Sequence, residues 1–246
     1  MLKSENFKII KYYLGNFFRV MSSPWLQKSF QIENISNIFA SNFGDDGWHP
    51  IRKTLCEIDI NPNISPNETT LWKYHKIFVP KSISMFFSDN LNLNLPTFIY
   101  PWGSFNDGLE TSGKNQNLSR FCGPSSDEFI YEEIKRIILL YKSLKQDGYL
   151  PTKYPNSFIG GTILEKINGE TRFIVMQGNH RAAILAHLGY KNLKVRLVPQ
   201  SLKYVREKDL KNWLMVKKGL CSEFEALQIF NFFFKEDGNH IHDLIR

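Results

Sequence analysis

Apolar residues recur at helical spacing in several segments of the chain. At residues 7–21 they recur every three or four positions, which predicts an amphipathic helix that packs on a core. At residues 129–144 the same spacing predicts a second helix, which one of residues 125–127 can cap and Gly148 ends. Residues 70–78 are predicted to form either a helix or a buried turn that ends before a proline.

Two short apolar runs flank an Asn-Gly pair in the second half of the chain. The runs are residues 162–164 and 172–176, and the pair is Asn168-Gly169. Because both residues of such a pair tolerate a positive φ, the pattern predicts a β-hairpin closed by a type I′ turn. A helix at residues 179–188 and a strand at 193–198 are expected to follow.

The rest of the chain has a weaker pattern. Residues 23–123 are rich in Asn, Ser, Pro and aromatic side chains, and they predict short elements joined by long loops. After residue 200 the chain is expected to be helical, with a capping box at Ser222 and Glu225 before a phenylalanine-rich segment.

These patterns predict an α+β fold in three segments. Residues 1–123 form an irregular, mainly helical region that contributes to a substrate pocket. Residues 124–200 form a central domain with a small mixed sheet, and residues 201–246 form a helical extension.

Charge and composition indicate which classes of partner, and which cellular compartment, the chain is expected to have. The chain carries 31 basic and 24 acidic residues, a net charge of +7, which favours nucleotides, nucleic acid or an acidic membrane surface, although a basic surface without a specific partner is equally consistent. The three cysteines are far apart in sequence, which argues against a disulfide framework and a cysteine-based zinc site. No early apolar run is long enough for a signal peptide or a membrane span, so we expect a cytoplasmic protein.

The segment Gly178-Asn179-His180-Arg181 joins the predicted hairpin to the next helix. Gly178 allows a tight turn, and the next three residues present the first N–H groups of the helix. A helix N-terminus attracts anions, and Arg181 can donate two hydrogen bonds to phosphate oxygens while a protonated His180 can donate one. The segment therefore predicts a site for a di- or triphosphate. A purely structural histidine is the alternative.

Residues 141–151, 172–183 and 193–198 resemble the ParB/sulfiredoxin superfamily, a similarity that covers about residues 127–199. The resemblance implies a Gly-x-x-Arg loop that holds nucleotide phosphates, as in CTP-hydrolysing ParB, ATP-using sulfiredoxin and a free-serine kinase. His180 and Arg181 match the histidine and arginine of the sulfiredoxin loop. Asn179 replaces its reactive cysteine, so sulfinic acid reduction is not expected.

The same resemblance places two residues of the preceding helix near the nucleotide. They are Arg136 and Ser143, which share a helix face because they are seven positions apart. An arginine and a serine on an exposed helix face are equally typical without a ligand. The full predicted phosphate-binding set is Gly178, Asn179, His180, Arg181, Arg136 and Ser143.

A kinase-like reaction needs one carboxylate for Mg²⁺ and a group that accepts a hydroxyl proton. Acidic residues flank the proposed site at Asp127, Glu128, Glu132, Glu133 and Asp147, where the helix dipole alone would also favour them. The catalytic candidates are His180, Glu128 and Asp147. No spacing of side chains predicts a metal site built by the protein alone.

The sequence therefore predicts a phosphotransferase or nucleotide hydrolase that uses ATP, ADP or CTP with Mg²⁺ and acts on an unknown small-molecule acceptor. The alternative is a non-catalytic module, in which nucleotide or nucleic acid binding controls a contact, such as a homodimer, made by the phenylalanine-rich helix. DNA binding or nuclease activity is less favoured, because neither the partition-type Glu-Asn-x-x-Arg segment nor a helix-turn-helix pattern follows the strand at 193–198.

Overall fold

The computed structural model describes residues 26–80, 83–86, 100–103, 121–154, 157–198 and 203–246. Within these ranges the chain forms an α+β fold with a six-stranded mixed sheet and seven helices. The strands are β1 (Gln27–Gln31), β2 (Ile35–Asn37), β3 (Ile159–Glu165), β4 (Thr171–Gln177), β5 (Asn192–Leu197) and β6 (Tyr204–Arg206). The helices are α1 (Pro50–Ile60), α2 (Thr70–Ile77), α3 (Asp127–Asp147), α4 (Asn179–His187), α5 (Leu214–Lys217), α6 (Glu223–Lys235) and α7 (Asn239–Leu244). The helix predicted at residues 7–21 lies outside the described residues.

Strands from all three predicted segments belong to one sheet. Its order is β1-β5-β3-β4-β2. The first residues of β3 pair with β5, and its last residues pair with β6. The hairpin strands β3 and β4 are antiparallel, whereas β5 and β6 run parallel to β3 and β2 runs parallel to β4. The division at residues 123 and 200 stays a prediction, but the first segment supplies β1 and β2 and the last supplies β6.

The hairpin itself is confirmed, but its turn differs from the predicted type I′. Gly169 has a φ of +86°, whereas Asn168 is not among the described residues with a positive φ. The N–H of Gly169 donates to the carbonyl of Lys166 at 3.0 Å, and the N–H of Lys166 donates to Glu170 at 2.9 Å. This pattern is a type I turn followed by a glycine bulge, which places three residues instead of two between Lys166 and Glu170, the hydrogen-bonded pair that closes the loop.

Local capping signals set the ends of the helices, as predicted. The Ser126 hydroxyl accepts a hydrogen bond from the N–H of Phe129 at 3.2 Å at the start of α3, and Gly148 ends that helix with a φ of +74°. The capping box of Ser222 and Glu225 starts α6. The segment predicted as a helix or a turn is the helix Thr70–Ile77, and Phe78 is its C-cap.

Side chains of the sheet alternate between two cores. Phe173 and Val175 of β4 point to the core that contains α1, α3 and α4, whereas Ile174 points to the core that contains α6. A third cluster, including Trp48 and Tyr74, joins α2 and α7 to the chain between β2 and α1. This cluster supports the segment just before α1 that contributes to the candidate site.

The phenylalanine-rich helix α6 packs inside the chain. Phe230 and Phe233 are fully buried and Phe232 is 4% exposed, whereas Phe224 is 70% exposed. The ring of Phe230 lies 5.4 Å from that of Trp213. The aromatic residues considered for a subunit contact are thus in the chain's own core.

None of the described helices is both long and apolar enough to cross a bilayer.

Candidate functional site

Helix α4 starts at a glycine in the left-handed region. Gly178 is its N-cap, with φ +87° and ψ 28°, and glycine has no side chain that could cap the helix. A Cβ at this position would lie 3.2 Å from Nη1 of Arg181 and 3.4 Å from Cα of Ile159, so both the backbone conformation and the space favour glycine. The N–H groups of Asn179 and His180 lie in the first turn, where a helix offers no carbonyl partner and carries a partial positive charge.

A cavity of about 240 Å³ lies beside this helix start, and we call it cavity A. Its apolar wall includes Phe39, Ile51 and Tyr74. Its polar wall, among the described residues, consists of Asn37, His49, His75, Glu133, Asn179 and His180.

Glu133 and His180 form a hydrogen-bonded pair at cavity A. Oε1 of Glu133 contacts Nε2 of His180, and Oε2 accepts a hydrogen bond from Nη1 of Arg136 at 2.7 Å. Burial is the largest single influence on Glu133 and would raise its pKa, but the hydrogen bond with His180, the charge that His180 carries when protonated and the charge of Arg136 together lower the pKa below its ordinary value. Glu133 is therefore a carboxylate.

An ionised Glu133 fixes the orientation and tautomer of His180. Because Nε2 contacts the carboxylate and donates its proton to it, Nδ1 is the nitrogen that is free to accept a proton when the ring carries only one. No described residue forms a hydrogen bond with Nδ1, and the His180 side chain is 30% exposed. This is the arrangement that a general base requires, with one nitrogen oriented by a carboxylate and the other available to a substrate.

Two further histidines at cavity A are buried and neutral. Burial, followed by the charges of His180 and Arg52, lowers the pKa of His49 to about 3. Burial also lowers the pKa of His75 to about 4, although Glu133 and the backbone of Cys122 oppose the shift. Nδ1 of His49 accepts a hydrogen bond from the N–H of Ile51 at 3.3 Å and so caps α1.

These two histidines should make the fold less stable in weak acid. Their pKa is 6.5 in an unfolded chain and about 3 and 4 in the folded protein, so below pH 6.5 the unfolded state binds protons that the folded state excludes. Between pH 7 and pH 5 each histidine should lower the free energy of unfolding by about 2 kcal/mol. Urea denaturation at the two pH values measures the loss, and His49→Gln should remove about half of it. Equal stability at both pH values would contradict this assignment.

A second cavity, cavity B, lies on the other side of the first turn of α4 and has a volume of about 440 Å³. Its polar lining includes Ser143, Asp147, Tyr149, Lys153, Tyr154 and Arg181. Nη1 of Arg181 donates to the carbonyl of Phe158 at 3.3 Å, and the hydroxyl of Ser143 donates to Oδ2 of Asp147 at 3.3 Å. Cavity B thus brings two cationic side chains and one carboxylate together.

Tyr149 holds the chain after α3 against the sheet and forms a fixed wall of cavity B. Its hydroxyl donates to the carbonyl of Lys194 at 2.9 Å and accepts from the N–H of Ile159 at 3.0 Å. Burial raises the pKa of Tyr149 to about 12, against the opposing effects of the Ile159 hydrogen bond and the charges of Arg181 and Arg196. The phenol therefore stays neutral.

The predicted phosphate-binding residues divide between the two cavities. Gly178, Asn179 and His180 line cavity A, whereas Arg181 and Ser143 line cavity B, with the catalytic candidate Asp147. Arg136 lines neither cavity, because it pairs with Glu133 and its side chain is 64% exposed. Seven residues correspond to about 10 Å along a helix, so Arg136 and Ser143 share a face of α3 without sharing a site. Glu128 is exposed and also lines neither cavity.

In the sequence, Glu133 is one of several acidic residues near a helix start. A usable signal was present, since Glu133 lies three residues after Ile130 and four before Ile137 on the apolar face of α3, where a carboxylate needs a specific partner. His49 lies in a loop, between Asp45 and Pro50, whose acidic, histidine and aromatic residues are typical of substrate-selecting loops, whereas His75, Asn37 and Lys153 carry no comparable signal.

No family model matches the chain, and no curated protein is significantly similar to it. The resemblance to the ParB/sulfiredoxin superfamily therefore stays a prediction that depends on the residues quoted above. In the described part of the chain, no three His, Cys, Asp or Glu side chains lie together as a metal site.

Proposed function

We propose that the protein is a nucleotide-dependent phosphotransferase that transfers a terminal phosphoryl group to a small hydroxyl-bearing acceptor. One observation carries this proposal. Consecutive residues in the first turn of α4 line both cavity A, which contains an oriented histidine base, and cavity B, which contains two cationic side chains. A phosphoryl donor and an acceptor would meet at such a boundary.

Cavity B suits the nucleotide. Arg181 and Lys153 supply positive charge for phosphate oxygens, and the N–H groups at the start of α4 add partial positive charge. Tyr149 and Tyr154 offer aromatic surface of the kind on which bases stack. The hydroxyl of Ser143, which donates to Asp147, keeps its lone pairs as acceptors at the same cavity, so the cavity combines cationic, aromatic and hydroxyl groups of the kind that recognise a nucleoside phosphate.

The nucleotide would bind with Mg²⁺, which needs only one or two protein carboxylates when phosphate oxygens supply other ligands. Asp147 at cavity B is a carboxylate that fits this role, since it is exposed and its described hydrogen bond is with Ser143. The ion would neutralise phosphate charge as the terminal phosphoryl group leaves.

His180 would act as the base toward the acceptor in cavity A. Its Nδ1 takes the proton from the acceptor hydroxyl as the oxygen forms a bond to the terminal phosphorus. The bond from that phosphorus to the bridging oxygen breaks, and the departing nucleotide keeps the electron pair. Glu133 stabilises the imidazolium that forms. With water in place of the hydroxyl, the same steps hydrolyse the nucleotide.

A non-catalytic module controlled through α6 has less support. That alternative uses the phenylalanine-rich helix as a contact surface, but Phe230, Phe232 and Phe233 are buried within the chain. It also gives no role to an oriented Glu133–His180 pair beside a cavity.

Arg181→Ala should weaken nucleotide binding at least about tenfold, since it removes charge-assisted hydrogen bonds to phosphate. The measurement is the rise in melting temperature with ATP, ADP or CTP and Mg²⁺, together with isothermal calorimetry. Lys135→Ala is the matched control, because it removes the same charge from a side chain that is 67% exposed and lines neither cavity. Circular dichroism checks that both variants fold. Nucleotide binding that Arg181→Ala leaves unchanged would remove cavity B from the proposal.

A further inference from the structure

We infer that the acceptor bound in cavity A is a small neutral polyol, a molecule with at least two adjacent hydroxyl groups and no charge. This inference deepens the proposed phosphotransferase function. It depends on that function only for the role of the ligand as the phosphoryl acceptor. Its basis is the set of polar groups lining cavity A for which the described residues provide no hydrogen-bond partner.

Two of these groups are donors. Nδ1 of His49 accepts from the backbone of Ile51, so the proton of this neutral imidazole is on Nε2, for which the described residues provide no acceptor. Oδ1 of Asn37 accepts from the N–H groups of Phe39 and Ser41 at 2.8 and 3.0 Å, so its amino group is the remaining polar end. His49 is 4% exposed and Asn37 is 8% exposed, and both line cavity A.

Two other groups are acceptors. Nδ1 of His180 is the basic nitrogen left by the contact with Glu133. Oδ1 of Asn179 is buried and receives no hydrogen bond from the described residues. Cavity A therefore presents both donors and acceptors to whatever fills it.

This mixture selects the chemistry of the ligand. A hydroxyl group both donates and accepts, whereas a carboxylate or phosphate only accepts and an ammonium group only donates. Adjacent hydroxyl groups could accept from His49 or Asn37 and donate to His180 or Asn179. A ligand whose polar groups were all carboxylate or phosphate oxygens would leave the acceptors of the cavity unsatisfied, and one with only ammonium groups would leave its donors unsatisfied, which is unfavourable.

The charge and the volume of cavity A also favour a small neutral polyol. The described lining of cavity A contains no lysine or arginine, its His49 and His75 are neutral, and the carboxylate of Glu133 would repel an anion. The volume of about 240 Å³ equals that of roughly eight water molecules in the liquid. The rings of Tyr74 and Phe39 provide an apolar wall for the C–H face of such a molecule.

The test measures binding without nucleotide, by saturation-transfer NMR and thermal shift on the full chain. The neutral probes are glycerol, erythritol, myo-inositol and D-glucose, and the charged probes of matched size are D-glucuronate and D-glucosamine. We expect at least one neutral probe to bind at least tenfold more tightly than either charged probe. Equal or tighter binding of a charged probe, or no binding of any neutral probe, overturns the inference.

Asn37→Asp sharpens the test because it keeps the two backbone hydrogen bonds to the side chain while replacing the amino donor with an acceptor. Binding of the neutral probe should fall at least tenfold, and D-glucosamine should become the better ligand. An unchanged preference would show that Asn37 does not face the ligand and would overturn the assignment.

The two proposals can fail separately. If a neutral polyol binds but no nucleotide does, the proposed phosphotransferase function is wrong and the ligand class of cavity A is supported. If the protein consumes nucleotide but binds no polyol, and no neutral probe stimulates the turnover, the phosphotransferase function is supported and the polyol acceptor is wrong.

Discussion

Replacing Glu133 with glutamine is expected to lower the rate of phosphoryl transfer by a factor of about 10² to 10⁴, the usual contribution of a positioned acid–base group. The carboxylate orients Nε2–H of His180 and stabilises the imidazolium, whereas an amide can present its NH₂ group to Nε2 and favour the wrong tautomer. The measurement is release of the nucleoside product with Mg²⁺, with and without a polyol acceptor. Nucleotide affinity should stay within about threefold, because Glu133 lies at cavity A and not at cavity B.

Glu132→Gln is the matched control for this change. It removes the same charge from the neighbouring position of α3, where the side chain is 67% exposed and lines neither cavity. His180→Gln should reduce turnover as strongly as Glu133→Gln, and the double variant should be little worse than either, since the two side chains act as a unit. Wild-type turnover in Glu133→Gln would remove the pair from the mechanism.

The central helices and hairpin could be predicted because their signals are local. The apolar face of α3, the serine before it and the glycine after it lie within one continuous segment. By contrast, β1 reads Gln-Lys-Ser-Phe-Gln and has no fully buried residue, so neither hydrophobicity nor alternation marks it. β1 forms because the edge of β5 is available for pairing. Since β5 is far away in the sequence, a short window around β1 cannot indicate this pairing.

The helix start could also be predicted, but not the way its side chains diverge. Consecutive helical residues are about 100° apart around the axis. His180 therefore lines cavity A and Arg181 lines cavity B, although the sequence places them side by side. Residues that are consecutive in the sequence therefore line two different cavities.

The composition of cavity A lay beyond local reasoning. Its polar groups come from β2, the residue before α1, and helices α2, α3 and α4, so they meet only after the sheet and helices assemble. Each such residue is individually ordinary in sequence. Their burial together, with Glu133 as the carboxylate among neutral histidines, is what gives them chemical meaning.

Replacing Phe230 with alanine is expected to lower the free energy of unfolding by about 3–5 kcal/mol, because a fully buried ring leaves a cavity when it is removed. For a chain of this length the melting temperature should fall on the order of 10 °C. Differential scanning calorimetry and urea denaturation measure both quantities.

Phe224→Ala is the control on the same helix. Its ring is 70% exposed, so the loss should be within about 0.5 kcal/mol. The comparison also decides the role of α6, because a helix whose phenylalanines served a partner would tolerate Phe230→Ala in the isolated chain. If both variants lost only a little free energy of unfolding, α6 would be a surface helix and its assignment to the core would be wrong. A large loss for Phe230→Ala alone would support a core formed by α6 that holds β3 and β4, and with them the start of α4, in place.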